Sequence, residues 1–343
     1  MVESGPASPQ PFQLDHDGGR TPDLFSRGSS PLDSFITDAD GYTVIQDKNT
    51  SNFVYAMRND TSGELVSSGI IIGEGDPAIA GITKRLRHSS FEDHTGRHLL
   101  EEGRESNHRE LAVPSTGTLK NLVILVRFTN HKNRILPTAN DFDIVFNHEG
   151  NDNENHKLAP TGSVRDVFRV NSYGKLNLNS TVYGWVDLPE TEAYYANGVG
   201  GFATLQYMEA LHSAMDTLRD NDNFNVIFSD FDGDNNGKID MVTLIHSGYA
   251  SEANGDDEDG AVGDDRIWSH HRKLPKTRRW YPDPSDKKND VYVYQYSTAP
   301  ALYGVKGSSI GRIGVISHEI GHAIGKNLFF CVVGESSFIF IIS

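Results

Sequence analysis

The chain predicts an α/β domain built on a mixed sheet, with α+β as the alternative, and three observations lead there. The run Leu122-Val123-Ile124-Leu125-Val126 is continuously apolar, as expected of a strand buried on both faces. Met241 to His246 has the same character. Segments of helical period lie around them. Phe202 to Leu218 puts Met208, Leu211, Met215 and Leu218 on one side, and Ile313, Ile316, Ile320 and Ile324 form a stripe near the end of the chain. Strands and helices in this order give a layered domain.

From the start of the chain, residues 1–35 are rich in Pro, Ser, Gly and Asp without an apolar period, and read as a disordered segment. Residues 36–88 read as a small β-rich module. Gly41 to Gln46 and Asn52 to Met57 alternate as strands across an Asp/Lys/Asn turn, and Ile70 to Ile72 supplies a third. Residues 89–118 are charged throughout and read as a linker. Lys84, Arg85 and Arg87 stand before it, as sites a protease could cut or as ordinary solvated charge. The main domain follows at 119–325. Within it Ser163 to Val170 reads as a short helix, Leu176 to Val186 as a strand, and Val291 to Tyr296 as an exposed or edge strand. Ser308 or Ser309 is the N-cap expected for the last helix.

A net charge of -16 over 343 residues argues against nucleic acid and anionic membrane surfaces as partners, and suits a soluble protein that binds cations. The start, Met1-Val2-Glu3-Ser4-Gly5, has neither the basic nor the apolar stretch of a signal peptide. Cys331 is the single cysteine, so no disulfide framework holds the domain and its compartment stays open.

Two motifs carry chemistry. His318-Glu319-Ile320-Gly321-His322 is an HExxH pattern. On a helix, imidazoles four residues apart lie on one face about one turn from each other. That spacing lets both bind one Zn²⁺, with Glu319 as the general base for a metal-bound water. The plain alternative is a chance match on an ordinary amphipathic helix. The second motif is Asp232 to Asp240, which follows an EF-hand-type loop. Asp232, Asp234 and Asn236 offer hard oxygen ligands, Gly237 the turn and Ile239 an anchor, while Asp230 and Asp240 add further oxygens. Thr243 stands where a bidentate Glu closes a full EF-hand, and a strand follows instead of a helix. Structural Ca²⁺ is the expectation, against a mere Asp/Asn-Gly turn. Glu252 to Asp265 holds seven acids and no base, a solvated acidic loop or a second cation site. His270 and His271, just beyond, are candidates for a ligand, a transition-state donor or a packed polar network.

Taken in order, these segments resemble the M6 family of zinc metallopeptidases, the immune-inhibitor-A-like proteases. The likeness runs from about Leu119 to Gly325. It is carried by Leu122 to Phe128, Gly162 to Phe168, Asn171 to Leu176, Gly184 to Pro189, Asp232 to Asp240, His246 to Gly248, Ile267 to His270 and His318 to Gly325. Asp40 to Gln46 also resembles the pro-region found before such domains. The resemblance implies a zincin-like layered catalytic domain and a secreted endopeptidase made as a zymogen, acting on protein or peptide substrates. It implies zinc held by His318 and His322, with Glu319 as the base.

After Gly325 the chain departs from the pattern. A catalytic zinc takes three protein ligands, and Leu328 occupies the slot where His or Asp is expected. Residues 326–343 form a divergent apolar tail, too short for a membrane span, and Glu335 within it is the first candidate for a third ligand. The expectation is a chain truncated or mis-spliced after Gly325, since GGT-AAG codons for Gly325-Lys326 contain a splice-donor-like GTAAG. A genuine C-terminal strand packed on the core is the alternative. Without a third ligand the product is a catalytically inactive, calcium-binding protease-like protein. A weaker reading is an extracellular adhesion or binding module with an incidental HExxH. Substrate-binding residues and oligomeric state are not legible.

Overall fold

The computed structural model describes residues 2–4, 11, 13–16, 19–27, 35–47, 50, 52–59, 64–87, 116–150, 156–202, 204–253, 255–287, 290–324, 328–333 and 336–341. The chain divides into two units, Pro6–Ser106 with Glu252–Gly255, and Met1–Gly5 with Asn107–Ser251 and Asp256–Ser343. The linker read at 89–118 lies almost wholly outside the described residues.

Strand β1 (Val2–Ser4) belongs to the larger unit. The smaller unit has a hairpin of β2 (Asp15–His16) and β3 (Gly19–Arg20), then β4 (Phe25–Arg27), β5 (Phe35–Thr37), β6 (Thr43–Gln46), β7 (Phe53–Arg58) and β8 (Leu65–Ile71). The last five form one antiparallel sheet in chain order. Its core is Leu24, Tyr42, Val44, Tyr55 and Ile72. The five-stranded sheet overlaps the stretch read as a β-rich module and begins at Phe25, inside the stretch read as disordered. Leu24 is fully buried there. Strands of two or three residues are too short to show a period of two, so the polar composition around them hid their apolar anchors.

In the larger unit the long strands are β9 (Gly117–Arg127), β10 (Leu176–Asp187), β12 (Met241–Tyr249) and β15 (Gln295–Leu302), with the short β13 (His270–Lys273) before the last. The minor strands β11 (Lys238–Ile239) and β14 (Tyr292–Val293) pair with each other. The helices are α1 (Ala139–Asn147), α2 (Val164–Asn171), α3 (Glu192–Ala196), α4 (Leu205–Asp220) and α5 (Ile313–Ala323). Short polar residues start the first four. Thr138 and Ser163 form capping boxes with Asp141 and Asp166, and Thr191 and Thr204 accept from backbone N–H groups of the first turn.

The main sheet is ordered β1-β13-β15-β12-β9-β10. β10, β9, β12 and β15 run parallel, while β13 is antiparallel to β15 and β1 antiparallel to β13. Alternate side chains of β9 and β12 enter two apolar layers. Leu122, Ile124, Val126, Val242 and Leu244 meet α3 and α4 on one face. Val123, Leu125, Met241 and Ile245 meet α1, α2 and α5 on the other. The continuous apolar runs are therefore doubly buried strands.

Val291 to Tyr296 departs in part from its reading as an exposed or edge strand. Tyr292 and Val293 form β14, an outer strand of the two-stranded sheet, but Gln295 and Tyr296 open β15, which lies between β13 and β12 and is buried along its whole length. Its polar side chains are inside because each finds a partner. Gln295 Nε2 donates to Asp240 O (3.3 Å) and Ser297 Oγ to Glu319 O (3.0 Å), and Thr298 Oγ1 bonds Tyr207 Oη. The tail beyond residue 327 pairs as an antiparallel hairpin of β16 (Leu328–Val333) and β17 (Ser336–Ile341).

Near the end of β12, Gly248 lies against the Glu192 carboxyl at the start of α3, and a Cβ there would run into that carboxyl. Glu192 is fully buried and cannot swing into solvent without opening the core. We expect Gly248→Ala to destabilise the fold by about 3 kcal/mol, the scale of an overpacked interior site, as measured by urea denaturation.

Candidate active site

The HExxH residues lie in α5, the helix expected for them, but its start differs from the expectation. Neither Ser308 nor Ser309 caps it. The N-cap is Arg312, without a side-chain cap bond. Residues 309–311 are held extended instead. Ser309 O accepts from Tyr303 N (2.8 Å), Ile310 bridges Leu302, and Gly311 N donates to Ala301 O (2.7 Å). Gly311 sits so close to Pro300 O that a Cβ would clash. The chain is thus fastened to β15 until Arg312, and only then free to coil.

Ile316, Ile320, Ala323 and Ile324 seat α5 on the sheet, with Ile313 partly buried beside them. The opposite register brings the two imidazoles together. His318 Nε2 and His322 Nε2 are 2.9 Å apart, with ring centroids at 4.4 Å and planes at 88°. A tetrahedral zinc with Zn–N bonds near 2.1 Å holds two ligand nitrogens about 3.4 Å apart, so an opening of about 0.5 Å admits the ion. His318 and Glu319 are buried, and the Glu319 carbonyl is tied to β15 through Ser297. The donor chemistry fits a zinc-type ion with respect to two ligands. No third His, Cys, Asp or Glu joins the pair among the described residues, and Gly325 and Glu335 lie outside them.

Among the described residues, three candidate ligands converge at one place, Asp232, Asp234 and Asp240, whose oxygens lie within 4.8 Å of one another. Gly237, with φ of 79°, and Asn235, with φ of 56°, turn the loop. Asp232 accepts from Asn236 N (2.9 Å) and Gly237 N (2.8 Å). Asp240 accepts from Gly233 N (3.1 Å) and from Lys120 N on β9 (2.9 Å). Burial pushes the Asp240 carboxyl up to about 6, with Asp234 and Asp232 adding to the rise. Asp230 is not part of this group, and Asn236 directs its side chain within the loop, to Asp234 Oδ2 and Lys238 N.

A model of the immune inhibitor A peptidase M6 catalytic domain matches residues 115–327. This chain belongs to the M6 peptidase family. Its class is that of a metallopeptidase. No curated protein matches the chain. The matched span takes in β9 through α5 and ends at Asn327, just before β16.

The M6 unit also contains a buried polar cluster that the sequence did not reveal. It sits at the carboxyl ends of β9 and β12. Ser247 Oγ accepts from Phe128 N (3.1 Å) and shares a hydrogen bond with His131 Nδ1 (3.0 Å), and the ring turns Nε2 the other way. That nitrogen faces Glu192 Oε2 at 3.4 Å, while Glu192 Oε1 accepts from Ile267 N (3.2 Å) and lies 3.7 Å from His246 Nδ1. Burial raises the Glu192 carboxyl to about 8 and lowers His131 to about 4. Burial holds His246 well below its usual value. The three are therefore neutral together near pH 7, and the Glu192–His131 contact is not an ion pair. Its members come from four separate stretches of chain, so no spacing could have found them.

Arg134 closes the same region. It donates to Asp257 Oδ2 (2.8 Å) and Asp259 Oδ2 (2.6 Å), and Glu258 accepts from Tyr249 Oη (2.6 Å) and Gly307 N (2.9 Å). Much of the acidic segment from Glu252 to Asp265 is thus clamped, and its acids form no metal-binding group among the described residues. His270 belongs to a packed network. Its Nδ1 donates to Trp268 O (2.8 Å) and its Nε2 accepts from Tyr296 Oη (3.0 Å), and burial lowers it to about 4.

These directions give a pH profile. Below about 6.5 the unfolded chain takes up protons on His131, His246 and His270 that the folded chain refuses, so stability falls with acid. Between about 6.5 and 8, among the described residues, Glu192 is the group whose protonation differs most between the two states. The unfolded chain has lost that proton and the folded chain keeps it, so stability falls again as pH rises to about 8. Glu192→Gln should remove the alkaline fall and leave the acid one, as read by urea denaturation at about pH 5.5, 6.5 and 8.

Proposed function

We propose that this chain is a zinc-dependent metalloendopeptidase that hydrolyses peptide bonds in proteins, with Glu319 as general base. The observation that carries this reading is the facing pair His318 Nε2 and His322 Nε2, 2.9 Å apart on a helix inside the span matched by the M6 domain. His318 and His322 would hold zinc, which supplies a Lewis acid and lowers the pKa of a water bound to it. Glu319, between them in sequence, takes the proton from the attacking water as its oxygen bonds the scissile carbonyl carbon. The same carboxyl then delivers that proton to the departing amine nitrogen as the C–N bond breaks. Ser297, on the Glu319 carbonyl, fixes the helix against β15 while the side chain does this work.

The zincin-like layering, secretion and zymogen character implied by the resemblance belong to this reading. Among the described residues no helix is long and apolar enough to cross a membrane. The third ligand would have to come from residues outside those described, with Glu335 the first candidate. The specific expectation is that Glu319→Gln keeps zinc and lowers casein cleavage on the order of 10³-fold, whereas His318→Ala loses the metal as well. Zinc stoichiometry and cleavage rates, measured together, decide this. Tight zinc with unaltered cleavage in Glu319→Gln would refute the assigned role.

A second reading is a non-catalytic, calcium-binding relative, favoured by two observations. His318 and His322 lack a third ligand among the described residues, while Asp232, Asp234 and Asp240 already converge. Ca²⁺ in that loop would also relieve the repulsion among these carboxylates and tie β9 to β12 through Asp240. Calcium at about 100 times its Kd should stabilise the wild type by about 2.7 kcal/mol, and Asp232→Asn should abolish most of that gain. Thermal unfolding with and without Ca²⁺ reads it.

A further inference from the structure

Positive charge is spread unevenly along the chain. Residues 272–288 hold seven Lys and Arg against two Asp, in a protein whose net charge is -16. Arg272 is buried and donates to Thr204 O (3.4 Å), whereas Lys273, Lys276, Arg278 and Lys287 are exposed. The fold gathers part of this charge around tyrosine rings. Lys238 Nζ on β11, Lys273 Nζ at the end of β13 and Arg279 Cζ lie 4.8, 5.7 and 5.4 Å from the centroid of the Tyr294 ring. Arg279 also stands 4.7 Å over Tyr292, which packs on Tyr281 with centroids 5.5 Å apart. Lys287 Nζ is 5.3 Å from the Tyr281 ring. All of these cations are within reach of a ring quadrupole.

A ring face attracts a cation but cancels none of its charge. Three cations around one ring stand within about a Debye length of each other and repel. Among the described residues neither Lys238 nor Lys273 is ion-paired. An anion laid against the rings relieves that repulsion, and the surroundings limit its length. Lys238 belongs to the loop that carries Asp232, Asp234 and Asp240. On the other side His212 Nε2 donates to Arg278 O (2.9 Å) and Asp216 Oδ1 accepts from Trp280 Nε1 (2.9 Å), which seats the segment against α4. The groove along that helix is lined by Glu190, Glu209, Asp216 and Asp220. A nucleic acid, with a charge at every nucleotide, runs from the cations into these carboxylates, whereas a short run of Glu or Asp in a flexible polypeptide does not. We propose that Lys238, Lys273 and Arg279, with the rings of Tyr292 and Tyr294, form an exosite for a short acidic segment of a protein substrate. Calling that protein a substrate rests on the peptidase reading given above; the binding does not. The position suits the role. Lys273 ends β13 and Tyr294 leads into β15, whose Ser297 holds the Glu319 carbonyl.

The test uses the full chain carrying Glu319→Gln, so that bound peptide is not cut, and the fluorescence anisotropy of a labelled hexapeptide of Glu and Asp. This peptide should bind at least about 10-fold more tightly than one of Gln and Asn, and its affinity should fall about 10-fold as salt rises from about 50 to 200 mM. Lys238→Gln combined with Lys273→Gln should weaken binding about 10-fold. Lys238→Arg combined with Lys273→Arg should bind like the parent, which separates lost charge from a damaged fold. Equal affinity for the acidic and neutral peptides, or unchanged affinity in the double glutamine variant, would overturn the site. Tighter capture of a heparin-derived hexasaccharide or a six-nucleotide DNA strand would overturn the assignment to polypeptide. In the chain with native Glu319, a peptide substrate lengthened by the acidic run should show KM lowered about 10-fold with kcat unchanged; equal KM with and without the run would overturn the exosite role. Absence of all cleavage would count against the peptidase reading and leave the binding result to stand separately.

Discussion

Two-sided burial of β9 and β12 is the constraint on which the rest of the larger unit depends. Every second side chain must find an apolar layer on each face, and each fully buried Leu, Ile or Val contributes about 1.5–3 kcal/mol. That requirement puts α3 and α4 on one face and α1, α2 and α5 on the other. A one-residue slip of either strand would exchange the two layers completely. The register is further held by polar bonds that only the correct pairing permits, such as Asn121 Oδ1 accepting from Thr243 Oγ1 (2.8 Å) and Asp240 accepting from Lys120 N.

The ends of these strands are where apolar packing gives way to chemistry. Glu192 could not stay ionised at full burial without a strong counter-charge, and it remains protonated beside two neutral imidazoles. Arg134 and the buried Arg266 favour the ionised form, but burial outweighs them, and Arg134 spends its fork on Asp257 and Asp259. Gly248 admits the Glu192 carboxyl because it has no Cβ, so a backbone choice in β12 and a buried acid on α3 are one decision made twice. The HExxH helix depends on the same sheet in a different way. Its apolar stripe fills the second layer, and the fastening of residues 309–311 to β15 sets where the helix can start.

Much of this was legible in the sequence. The apolar runs named the doubly buried strands because two-sided burial leaves no polar alternation. The stripe of Met208, Leu211, Met215 and Leu218 named α4, and all four are buried. The start of β15 was misread because Gln295 looks like a solvent-facing position in a list of residues, whereas it is inside with a partner 55 residues away. The strands before residue 35 were missed because they are too short for a period. His131, Glu192 and His246 were missed because their relation exists only across strand ends.

The sequence by itself determined the class of chemistry. HExxH spacing is a property of helical geometry, and four residues per step bring two imidazoles to one side wherever the helix is placed. It also determined the acidic loop, whose carboxylates Asp232, Asp234 and Asp240 lie within nine residues of one another. The tertiary structure alone decided which of those acids meet, because Asp240 is brought in by its bonds to β9 and to Gly233 while Asp230 is left outside. It alone decided that the antiparallel strand β13 ends the ladder next to α5, and that the first residues of the chain lie on that edge. Local motifs are fixed by bond geometry over a few residues. Strand order and buried protonation states come from the joint packing of segments that the chain keeps far apart.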